Sequence, residues 1–500
     1  MRFKNALRNS IVAFAGQFVN IFLGFAVRTL FIHYLSKELL GVNGVMESMI
    51  TLLSVTELGL GTSIAFALYQ PINDGDSKRV ASLMNFYKKA YLVLGVATFA
   101  IGCLLIPFMR FFVKDAAGVA DINIIYLIFL LTTSTSYFFS YKRTLLNAHQ
   151  EHYIVSLSEN LCTVVKYILQ ALVLILFSSF IGYLIINLVF SVLANWILAL
   201  ACDKKHPPDI RYKHEKLYSE DKALLKKSVV SLMYQKVGGG LVNGTDNLMI
   251  SYVGIALMGV YSNYAMIISI IERVVTNVMR SLMGSVGNLM VQDDNSHKYR
   301  VYEEFAFAVF CFFFLIAAVL SGCLERFIGL WAGEDWVLPP SVTFVVIMNF
   351  FLQGTRHPNI AVIDTAGLFN KIRPKAVAEV LVNLVVSFVF LVVCDMGIYG
   401  VLFGTTVSKL GVCIWWEAWA VHKYSFNISL AGYVAKYIRG AAVTAAGCFA
   451  SYYISRAIPA GGFAGLVLAG VASVAVYAVL VLGVYCRTGE FKGIVARFRR

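Results

Sequence analysis

Fourteen runs of mostly apolar residues, each about 20 or longer, follow one another along this chain and constrain its fold more than any motif does. They cover residues 10–35, 42–69, 90–109, 122–141, 154–177, 181–202, 228–253, 258–287, 304–324, 341–363, 376–394, 398–421, 437–456 and 463–486. Runs of this length match the hydrocarbon core of a bilayer crossed by an α-helix. They are continuous rather than alternating, and barrel strands would need only about ten residues each. The expected fold class is therefore an all-α polytopic membrane protein of about 14 transmembrane helices. Composition agrees. Of 500 residues, 59% are hydrophobic and 14% charged, with a mean hydropathy of +0.74. A soluble domain carries roughly 25% charged residues. A string of soluble domains, a disordered chain, a coiled coil and collagen are all excluded.

The net charge is +14. In a soluble chain that excess would suggest nucleic acid; between spans it marks cytoplasmic loops, and no nucleic-acid partner is expected. With the N-terminus inside, the inside segments hold 30 Lys and Arg and the outside segments 5, with 7 left within spans. That asymmetry predicts cytoplasmic N- and C-termini and an even number of spans. The nine cysteines lie in or beside apolar runs with no CxxC, so neither disulfides nor a metal site is expected. The first apolar run is too long for a signal peptide and has no cleavage site.

The chain also repeats itself. Residues 10–45 align without gaps on 228–263, an offset of 218, with ten identities in 36 positions. These include Gln17/Gln235, Leu30/Leu248, Tyr34/Tyr252, Gly41/Gly259 and Val42/Val260. Gly102-Cys103-Leu104 returns as Gly322-Cys323-Leu324, Glu159-x-Leu161 as Glu379-x-Leu381, and Gly182-x-Leu184 as Gly400-x-Leu402. Six spans map onto six, and both halves start inside. The division expected is an N-terminal six-helix lobe (1–202), a basic cytoplasmic linker (203–227), a C-terminal six-helix lobe (228–421), and additional helices 13 and 14 with a basic tail (422–500). Two lobes related by an axis along the membrane normal are a recurrent transporter architecture.

Seven basic and seven acidic side chains fall inside spans: Arg28, Lys166, Lys236, Arg273, Arg280, Arg356 and Lys409, with Glu47, Glu57, Glu159, Asp246, Glu272, Glu379 and Glu417. A Lys, Arg or Asp at the bilayer centre costs about 2.5–3.5 kcal/mol, so these fourteen groups must face water or one another. Helical periodicity places Gln17, Asn20, Gly24 and Arg28 on one face of span 1, and Glu47, Thr51 and Ser54 on one face of span 2. It places Lys236, Gly239, Asn243 and Asp246 on one face of span 7, and Ser269, Arg273, Asn277, Arg280 and Gly284 on one face of span 8. The simplest geometry is a hydrated cavity lined by spans 1, 2, 7 and 8. Arg28 and Asp246, equivalent under the repeat, could pair across the pseudo-twofold axis. Glu159 and Glu379 are expected to find partners inside their own lobes, such as Lys166. Lys409 and Glu417, near span ends, are expected to snorkel. The stripes carry a positive surplus, and arginine suits bidentate phosphate recognition. Arg28, Arg273, Arg280 and Lys236, with Gln17, Asn20, Asn243 and Asn277, are therefore the candidate substrate-binding residues for an anionic cargo. Gly59-Leu60-Gly61-Thr62 lacks the lysine and the strand of a phosphate-binding loop, and HExxH and GxSxG are absent. No enzymatic activity and no cofactor are expected. Energy would come from a proton or sodium gradient, with Glu57, Asp246 and Glu47 the candidate ion-coupling carboxylates. A carboxylate near mid-membrane is able to take up a proton, because burial disfavours its charged form.

The stretch LSVTELGLGTSIAFALYQP, residues 53–71, resembles the second-helix signature of bacterial Wzx-type polysaccharide flippases. So do Arg8-Asn9-Ser10 before the first long helix and Lys142-Arg143-Thr144-Leu145-Leu146-Asn147-Ala148 after span 4. Ala366-Gly367-Leu368-Phe369 and the segment Gly397–Thr405 resemble it further. The resemblance covers roughly residues 1–430 and implies the multidrug/oligosaccharidyl-lipid/polysaccharide (MOP) exporter superfamily, with two six-helix lobes and alternating access. It implies translocation of undecaprenyl-pyrophosphate-linked sugar repeat units across the bacterial inner membrane, for O-antigen, lipopolysaccharide or another surface polysaccharide. The lipid-linked glycan and membrane lipids are the implied partners, with polysaccharide polymerase and glycosyltransferases nearby. Related lipid II flippases carry cavity arginines in helices 1, 2 and 8. Arg28 and Arg273 match the first and third, whereas span 2 has Glu47 and Glu57 instead. A lipid II flippase, a multidrug or small-solute cation antiporter and a non-transporting scaffold stand as the alternatives.

Overall fold

The computed structural model describes residues 2–57, 60–113, 121–207, 215–222, 225, 241–242, 244–290 and 295–498, without the side chains of 2–15, 55–56, 111 and 280–290. Among the described residues the regular structure is entirely helical, and ten helices are long and apolar enough to cross a membrane. The protein is thus a multi-pass, all-α membrane protein. The other expected spans have physical reasons for differing. Span 2 is broken: α2 (Lys37–Leu53) and α3 (Leu60–Asp74) flank a tight turn at Ser54–Glu57. Span 10 is broken between α10 (Pro340–Gly354) and α11 (His357–Thr365). Span 13 is a single helix, α15 (Ala431–Ala457), but Lys436, Arg439 and Arg456 lower its hydropathy. Most of span 7 lies outside the described residues, of which 244–253 are helical.

The chain divides into two compact units, Met1–Gly259 and Val260–Arg500. The first holds α1 (Arg2–Tyr34), α2, α3, α4 (Ser77–Leu105), α5 (Ile122–Ala148), α6 (His152–Phe177) and α7 (Phe180–Lys205). Ser36 starts α2 by accepting from the Leu39 amide at 3.3 Å, with Glu38 in the positive first turn. α1 lies along α6, and α5 lies between α4 and α7. A core of Leu83, Met84, Tyr87, Leu145, Leu146, Leu198 and Cys202 is sealed by Leu225. The described part of the basic linker is clamped there: Arg79 makes a bidentate pair with Asp221 at 3.0 and 2.7 Å. In the short α5–α6 connection Glu151 meets Lys205 at 2.8 Å and His206 at 2.9 Å. Burial pushes the Glu151 carboxyl up, but those two partners outweigh it and hold it below the ordinary glutamate range.

Within this first unit, the opening turn of α8 (Ile255–Met290) crosses the opening turn of α2 at two glycines. A Cβ on Gly41 would lie 1.9 Å from the Ile255 carbonyl oxygen; one on Gly259 would lie 2.1 Å from the Lys37 carbonyl oxygen. The glycines are equivalents at offset 218, and so are Lys37 and Ile255, the residues they touch. The two close approaches are thus made by residues that correspond at one sequence offset.

The second unit continues α8 and holds α9 (Asn295–Ala332), α10, α11, α12 (Phe369–Phe388), α13 (Ile398–Ser408), α14 (Ile414–Val421), α15, α16 (Gly462–Tyr485) and α17 (Gly489–Phe498). Wider π-type turns at 389–393, 409–413 and 422–426 interrupt the span helices. α15 and α16, the additional pair, pack on α9. Small residues permit close approach there: Gly322 faces Ser473, Gly440 faces Phe310 and Gly447 faces Phe314. Arg326 donates to the carbonyls of Ser455, Ile458 and Ala460, at 3.0 Å for Ile458 and 3.1 Å for Ala460. It thereby caps the negative C-terminus of α15 and ties the α15–α16 loop to α9.

Candidate functional site

The polar face of α1 divides its work. Asn20 donates to Asn160 of α6 at 2.7 Å, and Gly16 and Gly24 lie against Asn160 and Tyr167. This Gly-x3-Asn-x3-Gly stripe seats α1 on α6. Gln17 is half-buried beside it. Arg28, two turns beyond Asn20, is half-buried and has Glu47 of α2 and Tyr183 of α7 as its electrostatic neighbours. Glu47 also accepts from Asn43 at 2.9 Å. Glu47 is therefore one charge that faces Arg28 in the structure.

Asp246 is buried in the helical stretch 244–253, which packs on α2. There Gly244 faces Leu52, and Asn247 donates to the Ser48 hydroxyl at 2.9 Å. Thr51 and Ser54 return their hydroxyls to the carbonyls of Glu47 and Ile50, at 2.8 Å each. Such back-bonding bends helices, and α2 ends here. Spans 1, 2 and the described part of 7 thus meet within one unit.

Glu57 closes the turn that breaks span 2, and the Tyr91 hydroxyl donates to it at 2.6 Å. Tyr91 lies edge-on to Tyr87 and Tyr137, with ring centroids 4.5 and 5.9 Å away. Gly61 leaves room for the hydroxyls of Tyr87 and Tyr91, since a Cβ there would approach them to 2.9 and 3.0 Å. Glu57 therefore lies at a break in an apolar span with phenol hydroxyls beside it.

On α8, Arg273 is exposed, and Asn277 one turn further is half-buried. Lys236 and Asn243 lie outside the described residues, as does the side chain of Arg280.

The remaining in-span charges need correction. Glu417 does not snorkel: it is 2% exposed and accepts from Arg356 at 2.6 and 3.0 Å. Lys375 bridges Glu417 and Glu379 at 2.8 and 2.9 Å. Two cations and two carboxylates form a sealed, charge-balanced network. Lys409 donates to the Asn349 carbonyl at 3.1 Å instead of reaching a membrane surface. Glu159 and Glu379 do have lobe-internal partners, but Glu159 pairs with Arg143 at 2.5 Å, not with Lys166. Sequence reasoning missed Tyr91, Tyr137 and Arg143. The Tyr87-x3-Tyr91 spacing, which puts two phenols on one helix face, was a usable signal for the first.

No family model matches the chain, and no curated protein matches it by sequence. Solved structures do. The chain is similar to an inward-facing multidrug resistance MATE family transporter of the MOP superfamily: TM-score 0.65, 13% identity, covering 82% of this chain and 97% of that one. It is similar to the lipid II flippase MurJ in an inward closed conformation: TM-score 0.60, 14% identity, covering 95% and 100%. It is also similar to the Vibrio cholerae MATE transporter VcmN: TM-score 0.56, 14% identity, covering 84% and 96%. The class this defines is the MOP superfamily transporter fold, shared by exporters and flippases. The neighbours are transporters, not enzymes.

Proposed function

We propose that the protein is a Wzx-type flippase that moves undecaprenyl-pyrophosphate-linked oligosaccharide units from the inner to the outer leaflet of a bacterial inner membrane, with both termini cytoplasmic. The observation that carries this reading is the guanidinium of Arg273, open on a helix of membrane-spanning length in a transporter fold. An exposed cation at that depth needs water and an anionic partner, and a pyrophosphate supplies the partner. Arg28, Arg280 and Lys236 are the further candidate cations, and Gln17, Asn243 and Asn277 the candidates to meet the glycan, whereas Asn20 is held by Asn160. The fold is consistent with a flippase: the likeness to MurJ spans 95% of the chain, and that to the two MATE transporters 82% and 84%. The same extent supports lipid II as a second reading of the cargo, since it shares the polyprenyl pyrophosphate. Polymerase and glycosyltransferases would be the functional partners. The test is leaflet exchange in reconstituted vesicles with a fluorescent polyprenyl-pyrophosphate glycan. Exchange above protein-free vesicles supports the proposal. Exchange of lipid II alone would select the second reading, and efflux of organic cations without lipid exchange would overturn both.

A further inference from the structure

The first unit contains a polar cavity that the α1, α2 and α8 stripes do not include. It has a volume of about 310 Å³, lies among α5, α6 and α7, and is bordered by Thr163, Lys166, Asn187, Ser191 and the Arg143–Glu159 pair. That is room for a sugar ring rather than for one ion or a few waters. Its polar walls include hydroxyls and amides, which donate and accept hydrogen bonds as polyols do, and Phe190 and Ala194 supply apolar lining. Lys166 lies 14 residues into the 26-residue α6, near the middle of the bilayer crossing. Its ammonium donates to Asn187 at 3.2 Å. Among the described residues it has no ion-pair partner, whereas the neighbouring Arg143 has Glu159. The ammonium also lies over the Tyr167 ring, 5.0 Å from its centroid, but neither that ring nor an amide neutralises a charge at that depth, and a negative ligand would.

The repeat supplies an internal control. At offset 220, Glu159 corresponds to Glu379 and Thr163 to Asn383; at 218, Asn187 corresponds to Thr405. In the second unit these positions are closed: Asn383 donates to Thr405 at 3.1 Å, and Glu379 belongs to the sealed network with Arg356, Lys375 and Glu417. The counterparts of Lys375 and Glu417 in the first unit are Val155 and Ala199, which bring no charge to balance Lys166. One copy of the motif is packed shut and neutral; the other is open and carries a spare cation. A merely structural polar cluster would have no reason to differ in this way.

We propose that this cavity is a binding site for an acidic sugar, with Lys166 facing its carboxylate or phosphate and Thr163, Asn187 and Ser191 its hydroxyls. The inference deepens the flippase reading and rests on it for the identity of the cargo, but the binding itself is measurable apart from transport.

The experiment uses the full-length protein in detergent with a uronic-acid tetrasaccharide free of lipid, its neutral reduced counterpart, and two variants. Lys166→Gln removes the charge and keeps a polar side chain; Ala194→Leu fills the cavity and leaves every polar group in place. Ligand-observed saturation-transfer NMR should detect the acidic tetrasaccharide on the wild type. Each variant should weaken it about tenfold, the scale of one charge-assisted hydrogen bond. The neutral counterpart should bind more weakly than the acidic one and be insensitive to Lys166→Gln. Vesicle exchange of a polyprenyl pyrophosphate without sugars should be unchanged in both variants. Absence of saturation transfer to the wild type, or binding that both variants leave intact, overturns the site. Sugar binding that the variants abolish, together with vesicles that exchange no lipid, would sink the flippase reading and leave the site standing.

Discussion

Charged side chains within the spans divide into those that hold the fold and those left open, and substitution should separate the two. Glu417 is sealed between Arg356 and Lys375. Glu417→Ala strands two buried cations and should cost about 3–5 kcal/mol, read as a large loss of membrane yield and a lower thermal midpoint. Arg273 is exposed on α8, and Arg28 is half-buried near Glu47. Replacing Arg28, Arg273 and Arg280 together by Ala should leave membrane levels near normal and abolish cargo exchange, while replacement by Lys keeps part of the activity through the retained charge. A triple Ala variant that exports polysaccharide normally would show that these arginines do not hold the pyrophosphate. Composition and periodicity located all of these charges but did not separate the two groups. Periodicity reports which face a residue shares, not whether that face meets water or another helix. Asn20 shows the difference: it falls on the polar stripe of α1, and its amide is engaged by Asn160.

At the level of helices, the glycine crossing of α2 and α8 makes the sharpest demand on sequence. Gly41→Ala or Gly259→Ala drives a methyl group into a carbonyl oxygen of the facing backbone, and neither backbone can give way without moving a helix. Each substitution should cost about 1–3 kcal/mol and lower the thermal midpoint of the purified protein. Gly483→Ala, at a position with open space around it, should be neutral and serves as the control. Midpoints unchanged in all three would mean that the crossing is not tightly packed. The run of long apolar segments was legible because bilayer thickness fixes helix length whatever the neighbours are. The offset-218 identity of Gly41 and Gly259 was legible, and the structure gives both glycines one role, close approach to a facing backbone. The breaks in spans 2 and 10 were not, since apolar composition runs through them. At Ser54–Glu57 the break comes from hydroxyl back-bonding and a caged carboxylate, both tertiary effects that an apolarity window averages away. The network around Arg356 was hidden for a related reason: its members are 61 residues apart along the chain in the Arg356–Glu417 pair and lie on different helices.

For the whole molecule the proposed flippase activity requires a reset step, and the sequence carries no phosphate-binding-loop lysine to couple it to a nucleotide. If carboxylates served only to hold arginines in place, each would have a basic neighbour. Glu47 fits that description beside Arg28. Glu57 does not: among the described residues no basic group pairs with it, and its contacts are phenols from α4 and α5. It lies in the turn that follows α2, so gaining or losing a charge there alters hydrogen bonding at a helix end rather than within a continuous helix. Uptake of a proton or a sodium ion at Glu57 would favour one access state by the difference in its affinity for the two. Asp246, buried in a stretch that packs on the same α2, is the second candidate. The expected behaviour in vesicles is that collapsing both the proton and the sodium gradient slows wild-type exchange about tenfold, equivalent to ~1.4 kcal/mol in the balance of access states. Glu57→Gln should remove that response, and Tyr91→Phe, which deletes the hydroxyl donor alone, should weaken it. Asp246→Asn shows whether the second carboxylate shares the role. Exchange that ignores both gradients in the wild type, with Glu57→Gln and Asp246→Asn behaving like it, would mean that consumption of the delivered cargo drives net flux and that the phenol cage is structural.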